Sequence, residues 1–196
     1  MKHAGKHILI IPEGWTEYNY AQSLKITLPR DKQRGIQIEK PTTDTSALQL
    51  LNRAETLRLQ AKKQKNPYDA VWLFFDYDNR QRFEAFITRW KPNLTQLAYS
   101  CIAIEHWFIL HLEDNRQPYA SANQALDRLN RLWLEHFGHA YRKTASDHFE
   151  RLQPNLALAI QRNNLIHVQA EADETALHLR NPYFTIPDFI SYFQNL

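Results

Sequence analysis

Two places in the sequence set acids directly after an apolar run. The first reads Ile10-Ile11-Pro12-Glu13-Gly14-Trp15-Thr16-Glu17 and the second Leu73-Phe74-Phe75-Asp76-Tyr77-Asp78-Asn79. Asp76 and Asp78 are two residues apart, so in extended backbone they project to the same side. Carboxylates held side by side repel one another, and a divalent cation relieves the repulsion. Mg²⁺ suits such a pair, because it is hard, prefers oxygen, and takes one or two carboxylates while keeping several waters. The same residues could instead open a turn or cap a helix beginning at Arg80. Glu13 also closes an apolar run and is followed by one of only four glycines in the chain. A glycine there points to a sharp strand-to-helix turn or a close approach by a ligand. Glu17, four residues on, would sit in the first turn of the next helix, where it complements the dipole or joins the site. If the first and third strands are neighbours, Glu13, Asp76 and Asp78 converge.

The elements that must position these acids alternate along the first half. His7 to Pro12 reads as a buried strand, Thr16 to Leu28 as a helix and Gly35 to Glu39 as a short strand. Ser46 to Gln64 reads as a helix, Ala70 to Phe75 as a fully buried strand, Arg80 to Trp90 as a helix and Leu94 to Cys101 as a fourth strand. Such alternation predicts a mostly parallel sheet covered on both faces, with functional groups just past the carboxyl ends of the strands. The second half is helical: Glu105 to Leu112, a Ser121-capped stretch from Ala122, and Ser146 to Asn163 with a break at Pro154. A last helix, Thr185 to Phe193, carries a capping-box-like Thr185…Asp188. The expected organisation is an α/β core over 1–104 and a helical extension over 105–196, packed on it as one compact unit.

Composition narrows the chemistry. The 196 residues are 43% hydrophobic, 12% aromatic and 23% charged, an ordinary globular balance. The four glycines, at 5, 14, 35 and 138, fit neither a GxGxxG nor a GxxxxGK pattern. The single Cys101 excludes an intrachain disulfide and a multi-cysteine metal site. Neither GxSxG nor HExxH occurs. The opening apolar run is too short for a signal peptide and no run approaches a membrane span, so a cytoplasmic protein without a membrane partner is expected. Net charge is only +3, but residues 1–66 hold twelve basic and six acidic side chains, a local positive bias. His136 and His139 flank Gly138 and read as a helix end rather than a metal pair. His106 and His111 border the Trp107 segment, and His106 could belong to the site. Trp72, Phe74 and Trp107 read as core, whereas Trp15, beside Gly14 in a loop, is the one aromatic that could lie near a substrate.

The strand ending in Glu13-Gly14, the following Thr16-Glu17, and the later Asp76-Tyr77-Asp78 together resemble the TOPRIM fold of topoisomerases, primases and overcoming-lysogenization-defect nucleases. More narrowly, the chain resembles the RloB-like family. Tyr68-Asp69-Ala70-Val71-Trp72, the segment Ile104-Glu105-His106-Trp107-Phe108-Ile109-Leu110-His111, Tyr141-Arg142-Lys143 and Asn181-Pro182 carry that likeness over most of the chain. Cys101-Ile102-Ala103 stands where the family has Asn-Pro, and His106 where it has Leu. The resemblance implies a Mg²⁺- or Mn²⁺-dependent nuclease acting on DNA or RNA, with tRNA a possible substrate, as an effector of bacterial anti-phage defence beside an AAA-type ATPase. It implies that Asp76 and Asp78 hold the metal with Glu13 and Glu17. Glu13 would be a ligand or the acid/base, Glu105 would complete a second metal position, and Lys143 would neutralise the scissile phosphate. Glu105 otherwise reads as helix N-terminal charge and Lys143 as a surface lysine. The competing expectation is a non-catalytic regulatory subunit that docks onto the ATPase. Homo-oligomerisation fits either reading.

Overall fold

The computed structural model describes residues 5–42, 46–78 and 80–196, and the expected turn residue Asn79 and the first four residues lie outside it. Four strands, β1 (Ile8–Pro12), β2 (Ile36–Ile38), β3 (Ala70–Tyr77) and β4 (Gln96–Cys101), form one sheet in the order β2-β1-β3-β4. Every pairing is parallel. Helices α1 (Trp15–Thr27), α2 (Arg30–Gln33), α3 (Ala47–Lys63) and α4 (Arg80–Arg89) join the strands. Helices α5 (Ile104–Leu112), α6 (Ala122–Phe137), α7 (His148–Leu152), α8 (Leu156–Ala172) and α9 (Ile186–Gln194) follow. This is the α/β architecture expected, TOPRIM-like, with helices on both faces of the sheet.

The strands alternate their side chains between two apolar layers, as the two-residue period requires. Ile8, Ile10, Trp72, Phe74 and Ala98 pack toward Tyr20 and Leu24 of α1, Trp107 and Phe108 of α5, and Phe189 and Ile190 of α9. Leu9, Ile11, Val71, Leu73, Phe75 and Tyr99 pack on the other face against Leu50, Leu51 and Ala54 of α3 and Phe83 and Phe86 of α4. Trp72, Phe74 and Trp107 are therefore core, as read. The first layer joins residues from both sides of position 104.

Three boundaries differ from the reading of the sequence. β3 runs two residues past Phe75, so Asp76 is inside the strand rather than beyond it. Its pairing with Ser100 of β4 keeps the ladder going through the first acid. The break at Pro154 is a short 3-10 turn, Gln153–Asn155, but α8 then continues to Ala172, well past Asn163. Thr185 does not cap α9 with its side chain. Its Oγ1 instead accepts from the Tyr99 amide at 3.0 Å and donates to the Leu97 carbonyl at 2.9 Å. With the Ser100–Phe184 bridge, these bonds close the exposed edge of β4.

Among the described residues, no helix is long and apolar enough to cross a membrane.

Candidate active site

Strand order places the acids. From β1 the chain goes outward to β2, then α3 crosses back so that β3 pairs with the opposite edge of β1. The chain thus reverses direction between β1 and β3, the place where a parallel sheet leaves a crevice at its carboxyl ends. Glu13 follows β1 there, and its amide donates to the Phe74 carbonyl at 2.8 Å, extending the ladder by one bond. Glu13 Oε2 accepts from the Asp76 amide at 3.1 Å, tying the end of one strand to the other. β4 ends on the far side of β3, and α5 starts three residues later with Glu105 in its first turn. A cavity of about 350 Å³ results, lined by Glu13, Gly14, Thr16, Glu17, Asp76, Asp78, Ile102, Ile104, Glu105 and Lys143. All six residues singled out as catalytic or metal-binding in the sequence meet in this one space. A second cavity, about 750 Å³, shares Glu13, Asp76 and Asp78 and opens between Ser46–Gln49 of α3 and Arg82, Phe83 and Ala85 of α4.

Burial and mutual repulsion set the charge state of the acids. Glu13 has a pKa of about 7, raised first by loss of hydration and then by Asp76 and Asp78. Glu17 is 5% exposed and is also raised to about 7, chiefly by burial and then by Glu13 and Glu105. The Gly14 amide opposes that shift, which makes Glu17 half of a capping box reaching back to the N-cap. Asp76 is pushed well above the carboxylate range by burial and by Glu17 and Glu105, while the Ser100 hydroxyl and the Ile104 amide pull it down. Ser100 Oγ donates to Asp76 Oδ1 in a short hydrogen bond. Glu105, 2% exposed, accepts from Tyr141 Oη at 3.4 Å and pairs with Lys143 Nζ at 3.2 Å. Asp78 is exposed at the mouth.

Gly14 has an ordinary extended conformation, φ −129° and ψ 177°, so no left-handed turn calls for it. A Cβ there would stand 2.7 Å from Glu17 Oε2, so the glycine makes room for a buried carboxylate rather than for an unusual turn. Ile102 carries the backbone strain instead. Its φ is +71°, and the Ala103 amide closes on the Cys101 carbonyl at 3.0 Å around it. A β-branched residue in this region costs about 1–3 kcal/mol, and the kink turns α5 so that its first turn faces Asp76.

Two residues of the site were not visible in the sequence as such. Ser100 carries no motif, and its role follows only from its register opposite Asp76. Tyr141 belongs to the Tyr141-Arg142-Lys143 segment of the family likeness, but the likeness gives a role to Lys143 and none to the tyrosine. Other expected positions fall elsewhere. His106 faces away, with Nε2 2.9 Å from the Asn115 carbonyl, and His111 Nδ1 contacts the Trp107 carbonyl at 3.0 Å. His106 is thereby corrected to a core histidine, which explains why it can replace an apolar residue. His136 and His139 flank Gly138, whose φ of +74° ends α6, as expected of a helix terminus. Trp15 is 52% exposed and packs edge-on to Tyr18 without lining the acidic cavity. A larger cleft, about 970 Å³, lies between the residues after α5, the C-terminal half of α8 and the 175–182 segment, and has none of these acids.

The donor set is oxygen only, which fits a hard dication. Among the described residues, no three Asp, Glu, His or Cys side chains stand as a ready ligand cage. The fit is therefore one of donor chemistry and charge: an ion would take one or two carboxylates and retain waters, as Mg²⁺ does. Comparison with curated proteins and with solved structures finds no match. The family model for RloB-like proteins matches residues 8–192.

Proposed function

The chain belongs to the RloB-like family, and from that premise we propose that it is a metal-dependent nuclease hydrolysing phosphodiester bonds in DNA or RNA. One observation carries this reading: five carboxylates from three separate stretches of chain line one cavity with a single ammonium at the carboxyl end of the sheet. One or two of the carboxylates of Asp76, Asp78 and Glu13 would ligate Mg²⁺ or Mn²⁺ directly, with the others and Glu17 behind them holding its waters. The bound ion supplies Lewis-acid stabilisation of charge on the phosphoryl oxygens and lowers the pKa of a coordinated water. Glu13, where it is not itself a ligand, would take up the proton of the attacking water. The water oxygen bonds to phosphorus as the P–O ester bond breaks, and solvent returns a proton to the leaving oxygen. Lys143 offsets negative charge on the scissile phosphate. Service as an anti-phage effector beside an AAA-type ATPase belongs to the same reading.

The test is cleavage of supercoiled plasmid, single-stranded DNA and a tRNA pool by the purified chain in Mg²⁺ or Mn²⁺, with and without EDTA. The reading expects metal-dependent cleavage of at least one substrate, lost in Asp76→Asn and Glu13→Gln. A partner-docking subunit without catalysis is favoured by a different observation. Glu13, Asp76 and Glu105 each already have an internal partner, in the Asp76 amide, Ser100 and Lys143. No cleavage, together with no stabilisation by either metal, would overturn the nuclease reading.

A further inference from the structure

Among the described residues, the one ion pair made by a carboxylate of the site joins Glu105 to Lys143. Glu105 is buried, whereas the Lys143 side chain is 54% exposed, so the lysine is not driven inward by its own burial. Its loop holds it there. Tyr141 is stacked on His148 with ring centres 5.0 Å apart, His148 Nε2 lies 3.0 Å from the Arg142 carbonyl, and Asn19 Nδ2 donates to the Thr144 carbonyl at 3.1 Å. The backbone is thus pinned on both sides of Lys143. Tyr141 Oη donates to the same Glu105 oxygen that the ammonium meets. Glu105 therefore has its charge and one oxygen engaged by its own chain, while Glu13, Asp76 and Asp78 make no ion pair among the described residues.

We propose that the Lys143 ammonium is the second cation of this centre, so that the chain takes one dication, on the side of Glu13, Asp76 and Asp78, and not two. The inference rests on the metal-dependent reading above and narrows it. Sites that place two metals about 3.5–4 Å apart divide a phosphoryl group's charge between them. Here a fixed ammonium beside Glu105 would repel a second dication and withhold the carboxylate it would need. Glu105 then serves to position Lys143, replacing the second-metal role that family likeness implied.

The test is titration calorimetry of the full chain with MnCl₂, joined to electron paramagnetic resonance of the Mn²⁺-loaded protein. The wild-type chain is expected to bind one Mn²⁺ with an isolated-ion spectrum. Lys143→Met is expected to bind two, with spin coupling between them. Glu105→Gln is expected to keep one, its Kd changed by less than about tenfold, below the loss typical of a group that orients a ligand. Two Mn²⁺ in the wild type, one in Lys143→Met, or loss of the ion in Glu105→Gln would each overturn the inference while leaving metal dependence intact. No Mn²⁺ in the wild type would overturn the metal reading itself, and this inference with it. Should Lys143→Met fail to fold, the wild-type count and the Glu105→Gln arm still decide.

Discussion

At the scale of single residues, the site is a balance between burial and charge. Glu17 is an acid whose folded pKa, about 7, lies above its ordinary 4.5. Between those values the folded chain holds a proton that the unfolded chain has lost, so this group's contribution to stability falls as pH rises. Glu17→Gln is therefore expected to stabilise the metal-free protein at pH 8 relative to pH 5 by on the order of 2 kcal/mol, read from urea unfolding at both pH values. An unchanged difference would mean that Glu17 is ionised without cost in the fold. Asp76→Asn is expected to remove metal-induced stabilisation altogether, measured as the melting shift on adding Mn²⁺. Glu13, Asp76 and Asp78 were legible because each follows an apolar run, where a charge is out of place unless something uses it. Ser100 was not, and of Tyr141 only its place in a motif was, because a hydroxyl's partner becomes known only when register or a distant loop sets it beside an acid.

At the scale of elements, α5 carries opposing demands. Its first turn presents Glu105 to the site, and its other faces bury His106 and His111, both with pKa values lowered to about 4 by desolvation. A histidine kept neutral in the fold takes up protons only in the unfolded chain between about 6.5 and 4, so its contribution to stability is lost as pH falls. The acids at the strand ends slope the other way over much of that range. The two trends offset each other in the metal-free wild type, and Glu17→Gln is expected to climb more steeply with pH than its parent between pH 4.5 and 6.5. The edge of β4 gives a second test. Thr185→Val leaves the buried Tyr99 amide and Leu97 carbonyl without their side-chain partner and should cost about 1–3 kcal/mol, measured by urea unfolding. The strands and their order of appearance were legible from apolar runs broken by turn residues. The double role of Thr185 was not, because a threonine before a helix carries the signature of a cap whichever bonds it makes.

At the scale of the whole molecule, one apolar layer draws on both halves of the chain. Ile8, Trp72 and Phe74 of the sheet pack with Trp107, Phe149, Phe184 and Phe189 from beyond position 104. A fragment spanning 1–104 would expose that layer, and it is expected to show no cooperative unfolding transition in calorimetry, whereas the full chain shows one. A cooperative fragment would contradict this dependence. The α/β class was legible from alternating periodicities, but the reliance of the sheet on α5 and α9 was not, since no local pattern says which face a distant helix covers. The same packing brings Lys143 from the far half of the chain to the acids of the near half. The most direct test is anomalous diffraction from crystals soaked in Mn²⁺. A peak is expected among the carboxylates of Glu13, Asp76 and Asp78, with Lys143 still against Glu105. Full Mn²⁺ exposure with no peak there, and each acid still on its internal partner, would contradict the metal-dependent reading.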